Sequence, residues 1–284
     1  MAKMTREEVE ERLEEYAAHK AIKEAHEDEE DDTSETDDDS LDKRENNNPQ
    51  DSTDEEENKT DKATSLEETV SQDEKLQDES EDVIVPSLDN CDLSELDLTD
   101  LNFLGISMQN ANLTKTILNR ANLSNVSLIK TDLMNANLND TDLSEADLSD
   151  ANLSQAMLED SNLEGSTLDR ANLTEVILER ANLRKCKFIE SNLTQANMNE
   201  VTCGLADFSR SDLTNIKAVG ADFNRVKLSG ANLNNADFTD SRLSMAVFFE
   251  SKFTGTNLNR AQIKGSKLVK AEFTDACLTR SDLT

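Results

Sequence analysis

From Leu88 to Leu283 every fifth residue is a large apolar one, with only Cys203 and Ala218 clearly undersized. The centres run Leu88, Leu93, Leu98, Phe103, Met108, Leu113 and onward to Phe273, Leu278 and Leu283, and the count never slips. Two residues before each centre stands a smaller set: Ala111, Thr116, Ala121, Val126, Thr131, Ala136, continuing to Ala276 and Ser281. A period of five matches neither a helix, at 3.6, nor a flat strand, at 2. The chain must therefore wind as a solenoid, in which each turn buries its apolar residues against its neighbours.

Units such as Ala121-Asn122-Leu123-Ser124-Asn125, Ala146-Asp147-Leu148-Ser149-Asp150 and Ala231-Asn232-Leu233-Asn234-Asn235 resemble the A-(D/N)-L-x-x signature of pentapeptide-repeat proteins. The resemblance covers residues 86–284 and implies an all-β fold, a right-handed quadrilateral β-helix with one pentapeptide per side and four per coil. Forty centres then make about ten coils, a rod roughly 48 Å long at the ordinary strand spacing of about 4.8 Å. Burying one Leu is worth about 1.5 to 3 kcal/mol, so four centres contribute about 6 to 12 kcal/mol per coil before chain entropy is subtracted.

Asn or Asp just before the centre is expected to bond nearby backbone and favour turns. Gly105, Gly165, Gly220, Gly230, Gly255 and Gly265 all close their units, as a corner with unusual backbone angles would select. A ten-residue superperiod places the regular Asn-bearing units on one pair of opposite sides and variable units on the other. Leu96, Leu101 and Ile106 put bulk at the small position, which predicts a distorted first coil. Ile216 beside Ala218 looks like a volume exchange, so a local narrowing or bend is expected between 198 and 218.

The formal net charge of −32 is unevenly spread. Residues 1–85 carry 33 acids against 10 bases, so they form an acidic, largely disordered tail distinct from the repeat domain at 86–284. One helix is expected near residues 6–26, opened by a capping box at Thr5 and Glu8 and striped by Val9, Leu13, Tyr16, Ala17 and Ile22. It could be a solvated segment, a partner-docking helix or a cover for the solenoid's end. Within the tail, Ser34, Thr36, Ser52 and Thr53 precede acids, as acid-directed kinases prefer.

No constellation for catalysis is present: both histidines, His19 and His26, lie in or beside the expected helix, and there is no phosphate-cradling loop. No enzyme activity, cofactor or metal is expected. Cys91 and Cys186 occupy small inward positions, Cys203 a centre and Cys277 an outward one, without metal-ligand spacing. No segment is apolar enough to span a membrane and no secretory signal opens the chain, so a cytoplasmic location is expected. Direct nucleic-acid binding is disfavoured by charge.

Two functions remain. The leading one is a protein-binding scaffold or adaptor, with a contact site at Met245, Val247, Phe249 and Val269, where apolar residues stand at outward positions in neighbouring units. Ile189 lies in the Phe249 column farther down, and the partner is another protein or a second copy stacked end to end as a homodimer. The alternative follows from the resemblance: some pentapeptide-repeat proteins are DNA mimics that inhibit or protect DNA gyrase and related type II topoisomerases. Its acidic patch would be Asp140, Asp142, Glu145, Asp147, Asp150, Glu159 and Asp160. The outward column Asp100, Arg120, Asp140, Asp160, Arg180, Glu200 alternates in sign, however, and so predicts pairing between coils. Topoisomerase-protecting members interrupt the repeat with loops or pair through a C-terminal helix, and this sequence shows neither.

Overall fold

The computed structural model describes residues 3–31 and 87–284. The acidic stretch between them, including Ser34, Thr36, Ser52 and Thr53, lies outside the described residues. From Asp92 onward, the residue before each centre bridges its counterpart twenty residues later in parallel, from Asp92 with Asn112 through to Gln262 with Asp282. Four pentapeptides therefore close one coil, and four sides result. Side one carries Leu88 and Met108, side two Leu93 and Leu113, side three Leu98 and Leu118, and side four Phe103 and Leu123.

One unit shows how the backbone is satisfied. Ala111 N donates to Met108 O at 3.1 Å and closes the turn, while Asn112 N donates to Cys91 O at 2.9 Å in the coil before. Leu113 N and Lys115 N donate to Asp132 O and Met134 O in the coil after, at 2.7 and 3.0 Å. The fifth donor, Thr114 N, is taken by the side chain of Asn112 at 3.1 Å. The Asn or Asp before the centre is thus the acceptor for a backbone N–H that no backbone carbonyl of a neighbouring coil takes.

At several units where that position is neither Asn nor Asp, the acceptor is handed up from the coil before. Glu159 N follows Met157 and donates to Asn139 Oδ1 at 2.9 Å. In the same way Asp89 serves Gln109, Asp169 serves Ile189, Asn199 serves Val219, Asn224 serves Ser244 and Asn234 serves Thr254. Eight Asn or Asp residues directly follow a centre. The two not used this way, Asn119 and Asn259, have buried Oδ1 atoms without a hydrogen-bond partner.

The last residue of each unit turns the corner with φ near +60°, the left-handed region. Glycines hold six of these corners, from φ +67° at Gly265 to +76° at Gly165, which is the reason for their placement. The others are held by side-chain-bearing residues, mostly Asn, Asp and charged ones.

Centres from Leu88 to Leu258 are essentially fully buried. Through 198–218 the ladder continues unbroken, with Met198 N, Cys203 N and Ala218 N bonded to the next coil at 2.6, 2.7 and 2.8 Å. The small centres coincide with a run of large ones: Phe188 stacks on Phe208 at 4.6 Å, Phe208 lies 5.8 Å from Phe223, and Phe223 meets Phe238 edge-on at 5.2 Å. No coil loses its register through this stretch.

The expected helix is present as α1, Arg6–Asp31. Its capping box is reciprocal, Thr5 N to Glu8 Oε2 at 2.7 Å and Glu8 N to Thr5 Oγ1 at 3.3 Å. Residues 1–21 and 85–284 form one compact unit, and 22–84 a second, of which the end of α1 is described. Of the alternatives for the helix, its first part is a cover: Val9 is fully buried, Met4 nearly so, and Leu13 and Tyr16 pack on the core with Leu96 and Leu101. Those bulky first-coil residues are therefore the rim of a covered end. Ala17 and Ile22, at the far end of the stripe, are exposed.

Candidate functional site

A side of this solenoid is a grid. Along it run the residue before each centre and the residue after it, and the left-handed corner residues form its edges. Side one between the units of Leu228 and Leu268 presents Lys227, Val247 and Lys267 in one bridged column. Ser229, Phe249 and Val269 fall in the next. The edge shared with side four carries Leu205, Arg225 and Met245, and the opposite edge carries Glu250 and Lys270.

Three of the four expected contact residues are exposed here: Met245 at 59%, Phe249 at 40% and Val269 at 60% of their surface. Val247 is half-buried between them, and Ile189 is half-buried farther down side one. Lys270 Nζ lies 5.2 Å from the Phe249 ring centroid and 2.7 Å from Glu250. Lys227 pairs with Asp207 at 3.2 Å. Arg225 and Lys267 have no ion pair among the described residues, so the apolar cluster is edged by free positive charge in a strongly acidic chain.

Sequence reasoning missed Leu205, which is 48% exposed. Its signal was its position. Among the non-glycine residues at left-handed corners, Leu205 and Met245 are the two apolar ones, and they share one edge, two coils apart. Leu205 has the largest positive φ of any non-glycine corner, +69°, and its N donates to Asn224 O at a long 3.3 Å.

The seven carboxylates of the expected acidic patch do not share one face. Asp140 and Asp160 stand on the edge between sides three and four, with Glu159 and Asp142 flanking it, while Glu145, Asp147 and Asp150 continue round onto side one and its far edge. Several are engaged within the rod. Asp142 Oδ1 accepts from Ser144 N at 3.1 Å and Asn162 Nδ2 at 3.0 Å, and Asp147 accepts from Ser149 N at 3.0 Å. Asp150 pairs with Arg170 at 2.8 Å and Asp160 with Arg180 at 2.7 Å, and each guanidinium holds its partner's carboxyl below the ordinary range. Arg120 with Asp100 and Arg260 with Asp240 repeat the arrangement, as the alternating column predicted.

Among the described residues no group of His, Cys, Asp and Glu is placed to hold a metal ion, and no helix is long and apolar enough to cross a membrane. A hollow along α1 is lined by Lys3, Met4, Glu8, Glu11, Arg12 and Glu15, without a serine, threonine, cysteine or histidine. Burial pushes the Cys186 thiol up to about 12 and raises that of Cys203.

A family profile for the pentapeptide repeat region matches residues 106–178, and one for eight copies of the pentapeptide repeat matches 166–202, 206–244 and 246–284. The chain is a pentapeptide-repeat protein. The family fold is the right-handed β-helix, in agreement with the twenty-residue ladder. HetL, a pentapeptide repeat protein involved in heterocyst differentiation regulation from the cyanobacterium Nostoc sp. strain PCC 7120, is 27% identical and aligns over 68% of this pentapeptide-repeat protein and 87% of its own chain, with a TM-score of 0.44. QnrB1, a plasmid-mediated fluoroquinolone resistance protein, is 19% identical over 62% and 88% of the two chains, with a TM-score of 0.40. A pentapeptide repeat protein from the Arabidopsis thaliana thylakoid lumen is 30% identical over 37% and 66%, with a TM-score of 0.27. No curated protein matches.

Proposed function

We propose that this pentapeptide-repeat protein is a non-enzymatic scaffold, a rod of about ten coils that binds a protein partner through the apolar ridge of side one. The observation that carries the reading is the pairing of Leu205 and Met245 on one edge, beside Val247, Phe249 and Val269. Each of the two corner residues bears two costs at once. A side chain with a Cβ in the left-handed region costs about 1 to 2 kcal/mol, and an exposed apolar side chain gains nothing from burial. Polar residues or glycine hold every other such corner, so a ridge that keeps both costs is suited to being covered. The cytoplasm belongs to the same proposal, since the described cysteines are all free thiols.

The test separates binding from folding. Met245→Gly relieves the corner and removes the exposed side chain, so it should leave the rod at least as stable while weakening recovery of the partner that wild type captures. Phe249→Ser with Val269→Ser should abolish that recovery with the fold intact. Equal recovery by all three proteins would refute the ridge as the contact site.

DNA mimicry is a second reading, favoured by the meeting of Asp140, Asp142, Glu159 and Asp160 at one edge. Cross-coil pairing of Asp160 with Arg180 works against it. A supercoiling assay with DNA gyrase decides: a mimic inhibits or protects at low concentration and loses effect as salt rises.

A further inference from the structure

Each interior coil receives backbone donors from the coil before. On sides one, two and three, Ser107 O accepts from Leu88 N, Asn112 O from Leu93 N and Ile117 O from Leu98 N, and at the following corner Asn119 O accepts from Asp100 N. Twenty residues earlier, the equivalent carbonyls of the first coil are those of Ser87, Asp92, Asp97 and Thr99. No coil precedes them among the described residues, yet all four are bonded. Arg12 Nη1 donates to Ser87 O at 2.8 Å, Met4 N to Asp92 O at 2.9 Å, Arg6 Nη1 to Asp97 O at 2.9 Å and Arg6 Nη2 to Thr99 O at 3.5 Å. The segment leading into α1 even makes a parallel bridge, Lys3 with Asp92. Val9 and Met4 cover the apolar interior where the next ring of centres would stand. The start of the chain thus meets four of the eight first-coil carbonyls that an interior coil has bonded and covers part of the apolar floor, using two guanidinium groups and one backbone amide.

The last coil shows the complementary set. The backbone N–H groups of Leu268, Lys270, Phe273, Asp275, Leu278 and Arg280 have no partner among the described residues, whereas their equivalents one coil earlier, such as Phe248 N and Glu250 N, donate onward. Leu268, Phe273 and Leu278 are only partly buried and Leu283 is 52% exposed. The N–H groups of the last coil and the carbonyls of the first are therefore complementary sets, each around an apolar floor on the same twenty-residue outline, with bonds of the opposite sense such as Asn112 N to Cys91 O completing the pattern between coils.

We propose that α1 is a stop that occupies a docking site for a second copy of this chain: with α1 displaced, the last coil of one copy seats on the first coil of the next, and copies stack head to tail. The contact reuses the bond pattern that joins neighbouring coils, so it needs no new surface. It is heterologous and does not close on itself, so it extends into rods rather than ending at a dimer. An unpaired β edge carries this tendency, and covering it is how folds suppress it.

The experiment uses the full-length protein. Wild type and the triple variant Arg6→Ala, Val9→Asp, Arg12→Ala are compared by sedimentation over a concentration series, with far-UV circular dichroism as the check on the solenoid. The triple variant should at least double in mean mass as concentration rises, giving rods of constant width by electron microscopy, while wild type stays monomeric. Adding Leu278→Asp, which puts a charge on the apolar floor of the last coil, should return the variant to monomer. A folded triple variant that stays monomeric overturns the proposal, as does wild type assembling equally or assembly indifferent to Leu278→Asp. If Val9→Asp costs the solenoid its β signal, the Arg6→Ala, Arg12→Ala pair is read by the same criteria and is decisive.

Discussion

Replacing Asn139 by Ala removes the acceptor for the backbone N–H of Glu159, 2.9 Å away in the next coil, together with a longer 3.4 Å contact from Asn139 Nδ2 to Glu159 Oε2. Met157 stands where a local acceptor would, so no local side chain replaces the lost bond. Leaving a buried donor unmet costs about 1–3 kcal/mol, and since Glu159 is only half-buried the loss should be about 1–2 kcal/mol. For a domain of this size that lowers the melting temperature by about 3–6 °C. Asn119 is the control: it occupies the same position one coil earlier, but Asn137 already serves Asn139 N and the Asn119 Oδ1 is buried without a partner. Asn119→Ala should stay within about 0.5 kcal/mol of wild type. Introducing Met157→Asn into the Asn139→Ala protein supplies the local acceptor and should recover most of the loss. Thermal melts of the four proteins check this. Equal losses at 119 and 139, or no rescue by Met157→Asn, would refute the reading of these residues as handed-up acceptors.

Other outcomes follow from the same geometry. Leu205→Gly should stabilise the rod by about 0.5–1 kcal/mol in chemical denaturation, because relief of a left-handed corner outweighs the entropy of glycine in the unfolded chain; a clear loss would show that Leu205 packs in the free protein. Asp100, Asp150, Asp160 and Asp240 are held below the ordinary carboxyl range chiefly by their arginine partners, and Asp92 and Asp97 chiefly by hydrogen bonds to Ser94 and Thr99. Their contribution is fully present above the unfolded value of about 3.9 and is lost as pH falls through the lower folded values, so melting temperature should hold from neutrality to about pH 5 and drop below about pH 4. A loss centred at higher pH would contradict it. A thiol reagent at neutral pH should label exposed Cys277 first, since its hydrogen bond with Thr279 favours the thiolate, while Cys186 and Cys203 react only on unfolding. Mass spectrometry of the labelled peptides reads the order.

The repeat was legible because burial repeats with it: from Leu88 to Leu258 each centre expected inside is inside. The Thr5–Glu8 box was legible because capping is local, within one helical turn. The destination of α1 was not, because Val9 and Leu13 would stripe a partner-docking helix just as well, and only the folded structure shows Arg6 and Arg12 reaching first-coil carbonyls. Asn and Asp before the centre are legible as backbone acceptors, yet Asn139 and Asn224 act across twenty residues, a distance that local turn chemistry does not consider. Leu205 escaped notice because an outward Leu is ordinary until the φ of its corner is known.

The twenty-residue closure has a consequence for how such a chain can change length. Loss or gain of one pentapeptide leaves every centre pointing inward, so the interior tolerates it, but everything downstream turns by a quarter of a revolution. The ridge at Met245 and Phe249 would face a different direction relative to α1, and pairs such as Asp150 with Arg170 would be parted if the change fell between them. Only steps of a whole coil keep the outside in order. The interior counts in fives and the surface counts in twenties, so the ion-pair columns preserve a longer arithmetic than the core requires.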